Sequence, residues 1–179
     1  MRIDIMVDIE TLGTTSQAPI IQLGAIAFNI ETGEEVSRFN QYSSLDKMAL
    51  IESGTLKWWL KTIKELLEEI LNNGKISESE LITEFTDWIL SQEGFKFDNV
   101  YLWGNGILFD NRIISEKCRK YDVPYPVYYR NDRDVRTIVE LYCIKTGHDQ
   151  NDLKKESHID LVEHDALDDC LAQIRMVSH

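Results

Sequence analysis

The chain has 179 residues, 43% of them hydrophobic and 28% charged, a composition that excludes a disordered or fibrous protein. Its length is about that of one domain, so residues 1–179 are expected to fold as a single unit. The formal charge of −12 counts against a protein that wraps long duplex nucleic acid, because phosphate contacts normally require Lys and Arg. Capture of a short strand end is compatible with this charge if acidic residues hold metal ions, which lower the local negative charge.

Three strands are predicted at the start of the chain, over residues 3–10, 19–28 and 36–42. Turn residues separate the three apolar runs, and this spacing is typical of an antiparallel meander.

Two helical regions follow the meander. The first is predicted from about Thr55 to Leu71, with apolar residues at three- and four-residue steps, and ends at residues 72–74. These apolar positions are Leu60, Ile63, Leu67, Ile70 and Leu71. The spacing of Ser77 and Glu80 is that of a capping box and predicts the start of the second helix. Its apolar stripe consists of Leu81, Ile82, Phe85, Trp88 and Ile89.

A second set of strands is predicted after these helices. Residues 100–103 form an apolar run that reads as a buried strand, and a glycine-bearing turn at residues 104–106 leads into a helix from about Phe109. A further short strand is expected at residues 127–129, after a loop with two prolines. Strands followed by alternating helices and strands predict an α/β fold with a mixed five-stranded sheet flanked by helices, in which three antiparallel meander strands are followed by parallel strands.

The last part of the chain contains two predicted helices and one segment without a clear pattern. Asp134 is expected to cap a helix through Tyr142, and the final helix is predicted over residues 165–177. Residues 144–163 are polar and acidic, and this length is unusual for a structureless loop. The segment therefore contains a helix without a clear pattern, or it borders the functional site.

Asp8 and Glu10 form the first candidate site, because alternate residues of a strand point to the same face. The apolar residues Ile3, Ile5, Val7 and Ile9 then occupy the opposite face. At a separation of roughly 7 Å, two strand rises, the two carboxylates repel each other but can share a divalent cation. The alternative is a half-exposed edge strand whose polar face is acidic.

Asp110 and the segment from His164 to Asp169 are the other candidates. Asp110 follows a strand and a glycine turn, where open α/β sheets bind ligands, although a simple helix N-cap is an alternative. On the last helix, Ala166, Asp169, Gln173 and Met176 form a flank beside the main apolar stripe. Small Ala166 would allow a neighbouring element to approach closely, whereas Asp169 could equally be solvated.

These candidate residues together resemble the three motifs of the DnaQ-like, or DEDDh, 3′–5′ exonuclease family. The matching residues are Asp8 with Glu10 on the first strand, Asp110 after a strand, and His164 with Asp169 on a late helix. Three segments further resemble the phage exonuclease A branch and its bacterial oligoribonuclease-like relatives. They are residues 8–13 (Asp-Ile-Glu-Thr-Leu-Gly), 55–59 (Thr-Leu-Lys-Trp-Trp) and 133–137 (Arg-Asp-Val-Arg-Thr).

This resemblance implies a ribonuclease H-like fold and a metal-dependent exonuclease that releases nucleoside 5′-monophosphates from single-stranded DNA or RNA 3′ ends or short oligonucleotides. Asp8, Glu10, Asp110 and Asp169 would be the metal ligands for two divalent cations, Mg²⁺ or Mn²⁺, and His164 would be the general base. By the same analogy, a homodimer is one expected assembly. RNA and DNA are left as equal candidates.

Four residues are expected to contact substrate. Thr11 and Leu12 follow the first motif, where relatives place a wedge against the terminal base, although ordinary packing is an equal alternative for Leu12. Asn105 lies in the turn of the second motif, and turn asparagines are common without function. Trp59, or its neighbour Trp58, would offer a ring for stacking on a base, although tryptophan is more often a core residue.

Two other functions are compatible with the same residues. The first is a catalytically silent module of this fold that binds nucleotides or strand ends, and the second is a structural domain with acidic clusters on solvated faces. Retention of a base next to four acids argues against the silent module, because a protein that activates no water has no use for it.

The sequence also predicts a cytoplasmic protein with no membrane partner. No apolar run approaches the ~20 residues of a membrane-spanning helix, and the N-terminus lacks the pattern of a signal peptide. Cys118, Cys143 and Cys170 are widely spaced among apolar neighbours, which predicts reduced thiols that pack in the core.

Overall fold

The computed structural model describes residues 2–178. Within this range a five-stranded mixed sheet has the order β3-β2-β1-β4-β5. Its strands are β1 (Ile3–Thr11), β2 (Ile20–Phe28), β3 (Glu35–Tyr42), β4 (Val100–Gly104) and β5 (Asp132–Asp134). The first three strands form an antiparallel meander, and β4 and β5 continue the sheet in parallel with β1, as predicted.

Helices cover both faces of this sheet. They are α1 (Ser53–Thr62), α2 (Lys64–Asn73), α3 (Glu78–Leu90), α4 (Asp110–Lys120), α5 (Val135–Thr146), α6 (Gln150–Ser157) and α7 (Ala166–Val177). One core cluster joins α3 and α4 to the sheet, a second joins α5 and α7 to it, and a third packs α1 and α2 near the end of β1. None of the helices within residues 2–178 is long and apolar enough to cross a membrane.

β1 is the central strand, and its alternation follows the prediction. Ile5, Val7 and Ile9 pack into the first cluster, whereas Met6 belongs to the second cluster on the opposite face. Because β1 is paired on both sides, the alternative of a half-exposed edge strand is wrong. The side chains of Asp8 and Glu10 therefore lie on a rigid strand at the centre of the sheet.

The predicted single helix over residues 55–71 is wrong, because the backbone leaves the helical region at Ile63 and separates α1 from α2. Both helices still bury apolar residues, Trp59 in α1 and Leu67 and Ile70 in α2. The apolar spacing continues across the break, so periodicity alone does not reveal it.

The predicted strand at residues 127–129 is also wrong. The fifth strand consists instead of the charged residues Asp132–Asp134, which pair in parallel with β4 from Leu102 onward. Val127 is buried in the first cluster through its side chain without joining the sheet. A strand this short has no apolar pattern, and its position is set by pairing with β4.

The helix ends agree with most of the capping predictions. Ser77 and Glu80 form the predicted capping box, and Asp134 accepts a hydrogen bond from the backbone of Thr137. Helix α5 continues beyond the predicted end and stops at Gly147, whose φ of 77° suits glycine. Residues 144–163 contain α6, which Asp149 caps.

The three cysteines are free thiols. Cys118 and Cys170 are buried, and Cys143 is partly buried against the second core cluster. This agrees with the prediction that the cysteines are packing residues.

Candidate active site

Asp8 and Glu10 lie where α7 crosses β1 and β2. In the sheet register, Asp8 pairs with Gly24 of β2. A Cβ atom at Gly24 would lie 2.5 Å from the carbonyl carbon of Ala166, so the glycine permits close contact with the start of α7. Ala166 therefore allows the close approach predicted for it, and this contact brings Asp169 to the acidic face of β1.

Asp110 reaches the same place from β4. Because β4 runs parallel to β1 beside it, the carboxyl ends of the two strands adjoin, and α4 starts after a turn at residues 105–109. Asp110 is the first residue of α4 and is buried, whereas Phe109 occupies the N-cap position. The alternative that Asp110 is merely the N-cap is therefore wrong.

Two histidines flank Asp169. The backbone N–H of His164 donates to Oδ2 of Asp169 over 3.2 Å, and Nε2 of His158 lies 3.1 Å from Oδ1. The side chains of Glu10, His164 and Asp169 each offer one possible metal-ligand atom, and these three atoms lie within 4.8 Å of one another. His164 has a φ of 68°, an unusual value for a residue with a side chain.

The four carboxyl groups are electrostatically strained. Burial raises the pKa of Asp8 and of Glu10 well above the ordinary range, and the neighbouring carboxylates raise both further. Burial also raises the pKa of Asp110 to about 7, against the lowering effect of backbone N–H groups. The pKa of Asp169 is raised by burial, although His158 and His164 oppose the shift. A bound cation would relieve this repulsion.

The donor set fits a hard divalent cation. Carboxylate oxygens from Asp8, Glu10, Asp110 and Asp169 are the ligand type that such cations prefer. In addition, the buried Oε1 atom of Gln173 has no hydrogen-bond partner within residues 2–178. Buried polar atoms without a partner are rare and are often satisfied by water or an ion.

A cavity of about 520 Å³ opens over these acids. Its walls come from β1 and from α4, α5, α6 and α7 with the loops before them, and the basic side chains among them are Arg136 and Lys154. A larger cleft of about 910 Å³ lies between α3 and the segment after β3 and contains none of the four acids.

One of the four predicted substrate residues lines the cavity, and the other three are buried. Asn105 lines the cavity, whereas Thr11, Leu12 and Trp59 are buried. The ring of Trp59 is 1% exposed and donates from Nε1 to the carbonyl oxygen of Thr11, so the prediction that it stacks on a base is wrong. The buried side chains of Thr11 and Leu12 offer no exposed surface for their predicted contacts. Trp58 is 41% exposed.

Sequence reasoning missed Gln173, His158 and Arg136. Gln173 donates from Nε2 to Oδ1 of Asp8 over 2.8 Å. The sequence could have indicated Gln173, because this residue lies on the same flank of α7 as Asp169 and one turn after it. His158 and Arg136 had no comparable signal, because their approach to the site depends on how α6 and α5 pack.

The chain is similar to known proteins over almost its whole length. Residues 3–179 match the family model for the 3′–5′ exoribonuclease Rv2179c-like domain. The chain is 24% identical to an exodeoxyribonuclease of Enterobacteria phage T4 over 204 residues, which cover 98% of this chain and 88% of that protein.

Similar solved structures share the fold. Exonuclease I from Methylocaldum szegediense superposes with a TM-score of 0.74 at 18% identity over 99% of this chain, which spans only 40% of that protein. The nuclease domain of 3′hExo, a DEDDh family member, superposes with a TM-score of 0.66 at 16% identity, covering 98% of this chain and 90% of that domain.

These matches confirm the resemblance to DnaQ-like exonucleases and the ribonuclease H-like fold. The chain belongs to the Rv2179c-like family of 3′–5′ exoribonuclease domains and is a 3′–5′ exonuclease.

Proposed function

We propose that this protein hydrolyses single-stranded or short nucleic acids from the 3′ end by a two-metal mechanism and releases nucleoside 5′-monophosphates. The observation that carries the proposal is the convergence of Asp8, Glu10, Asp110 and Asp169, with His164, on one cavity. These residues come from distant parts of the chain and meet at the carboxyl ends of β1 and β4.

Asp8, Glu10, Asp110 and Asp169 would hold two Mg²⁺ or Mn²⁺ ions. When bound, these ions neutralise the acids and stabilise the charge that develops at the scissile phosphate. The raised pKa values of all four acids support this assignment, because a site built for cations is electrostatically unfavourable without them.

His164 would act as the general base. Imidazole is the side chain best suited to proton transfer near neutral pH. In the proposed step, a ring nitrogen of His164 accepts a proton from the attacking water, and the water oxygen bonds to phosphorus. The bond from phosphorus to the 3′ oxygen breaks, and this oxygen gains a proton from solvent to become the new 3′ hydroxyl.

The strand would be held by contacts on the cavity rim. Arg136 and Lys154 are exposed basic side chains suited to backbone phosphates, and Asn105 offers polar contacts beside them. The exposed ring of Trp58 would stack on a base. The cavity rim has few basic side chains and the chain has a charge of −12, so the protein favours short single strands over long duplex. Exonuclease I of E. coli, which has the same fold, has been solved in complex with single-stranded DNA.

Digestion of end-labelled RNA and DNA oligomers of matched sequence tests the proposal. Both substrates are needed, because the matched family is one of exoribonuclease domains and the phage T4 relative is an exodeoxyribonuclease. Shortening from the 3′ end that requires Mg²⁺ or Mn²⁺ and is lost in Asp8→Ala supports it. The absence of shortening, or shortening that survives Asp8→Ala, contradicts it.

A catalytically silent binding module is the second candidate. It predicts saturable binding of Mn²⁺ and of a nucleoside monophosphate by calorimetry, without turnover of any oligomer. The presence of a histidine next to Glu10 and Asp169 favours the exonuclease.

We also propose that residues 1–179 act as a single domain in the cytoplasm, where free thiols persist, and that the protein is a homodimer. Light scattering of the purified protein measures the assembly, and a monomeric mass contradicts the dimer.

A further inference from the structure

Gln173 is a buried amide that faces the acids of the site. It lies on α7 one turn after Asp169, lines the cavity and is 3% exposed. Its Nε2 atom donates to Oδ1 of Asp8 over 2.8 Å, which links α7 to the central strand. Its Oε1 atom is buried and has no hydrogen-bond partner within the described chain.

Packing alone does not explain a glutamine at this position. The neighbouring residues Cys170 and Ile174 belong to an apolar cluster, and methionine would fill a similar volume without leaving a buried acceptor unpaired. Burial of an amide with an unpaired oxygen destabilises the fold. The amide therefore has a use at the site that offsets this cost.

We propose that Gln173 is a positioning residue that fixes the carboxylate of Asp8 for metal binding, an inference that rests on the proposed function. The hydrogen bond holds Oδ1 of Asp8 in one orientation and prevents the carboxylate from turning when the neighbouring acids repel it. The free Oε1 atom is available to accept a hydrogen bond from water in the site. Partners of this kind orient metal ligands and affect metal affinity strongly.

Calorimetry with Mn²⁺ on Gln173→Met tests the inference. Methionine keeps the length and apolar packing of the side chain but cannot donate to Asp8. We expect Mn²⁺ to bind about 10- to 100-fold more weakly, with circular dichroism unchanged. Activity should fall at low Mn²⁺ and recover as Mn²⁺ is raised to saturation, because the four ligands are intact. A loss of packing would not be reversed by metal.

Leu171→Met is the matched control. It introduces the same side chain into the same helix, at a position that packs in the second core cluster away from the cavity. Wild-type Mn²⁺ affinity in Gln173→Met, or an equal loss in Leu171→Met, overturns the inference. If Gln173→Met does not fold, Gln173→Asn tests the inference instead. The shorter amide of asparagine cannot reach Asp8, so the same loss of Mn²⁺ affinity is expected, and wild-type affinity overturns the inference.

The experiment separates the two proposals. If the wild-type protein does not bind Mn²⁺ saturably, the proposed metal-dependent function fails, and the positioning role fails with it. If the wild-type protein binds Mn²⁺ and shortens oligomers while Gln173→Met behaves identically, only the role of Gln173 is wrong.

Discussion

The ring of Trp58 meets the ring of His164 edge to face, with the ring centroids 4.9 Å apart. An aromatic contact of this geometry is favourable and restricts the imidazole beside Glu10 and Asp169. Trp58 also remains partly exposed next to the cavity. The same side chain is therefore placed to orient the proposed base and to offer a surface for a nucleobase.

Trp58→Ala is expected to weaken substrate binding without unfolding the protein. Loss of one stacking contact costs about 1–3 kcal/mol, so KM for an oligomer should rise by about 5- to 150-fold, and Trp58→Phe should retain part of the binding. Trp59→Ala should instead lower the free energy of unfolding by about 3–5 kcal/mol, because that ring is in the core. Steady-state kinetics and thermal unfolding measure the two effects. If Trp58→Ala and Trp59→Ala changed KM and thermal stability equally, the assignment of Trp58 to substrate binding and of Trp59 to the core would be wrong.

Asp169→Asn is expected to abolish most activity, whereas Asp168→Asn should retain it. Asp169 faces the cavity, but Asp168 accepts a hydrogen bond from the backbone of Val162 and does not line the cavity. Removal of a proposed metal ligand should lower kcat/KM by more than the about 10- to 100-fold typical of residues that act on a metal only through its ligands. The digestion assay in Mn²⁺ measures both variants. An active Asp169→Asn would remove this residue from the metal site.

The stability of the metal-free protein should depend on pH through Asp110. Its pKa is raised to about 7 in the folded protein, against about 3.9 for an ordinary aspartate. A raised carboxyl pKa contributes stability below the unfolded pKa, and this contribution is lost as pH rises through about 7. Thermal unfolding in EDTA should therefore show a fall in Tm between about pH 4 and pH 7 that is smaller in Asp110→Asn. An identical pH profile in the variant would contradict this effect.

Arg136→Gln and Lys154→Gln should both weaken the binding of oligomers and reduce its dependence on salt. Each substitution removes one proposed phosphate contact, so the slope of log affinity against log salt should fall by about 0.7. Lys155→Gln is the control, because Lys155 is exposed on α6, pairs with Asp152 and does not line the cavity. Fluorescence anisotropy with a labelled oligomer at several salt concentrations measures the slopes. A slope that changes equally in the control would argue against a specific contact.

Several local features were predictable because they depend on near neighbours in the chain. Strand periodicity put Asp8 and Glu10 on one face, and the capping box at Ser77 marked the start of α3. The break at Ile63 was not predictable, because the apolar spacing continues across it. The charged strand β5 was not predictable, because its position is set by pairing with the distant strand β4, and local periodicity contains no information about that pairing.

The sequence by itself determined the order of the elements and the chemical types at the site, because side-chain period and capping act within a few residues. The tertiary structure decided which side chains meet. Adjacent residues on a helix point about 100° apart, so one of Trp58 and Trp59 had to face inward, and packing against Leu12 and Ile21 selected Trp59. Likewise, His158 and Gln173 became neighbours of the acids only through the packing of α6 and α7 against each other and of α7 against the sheet.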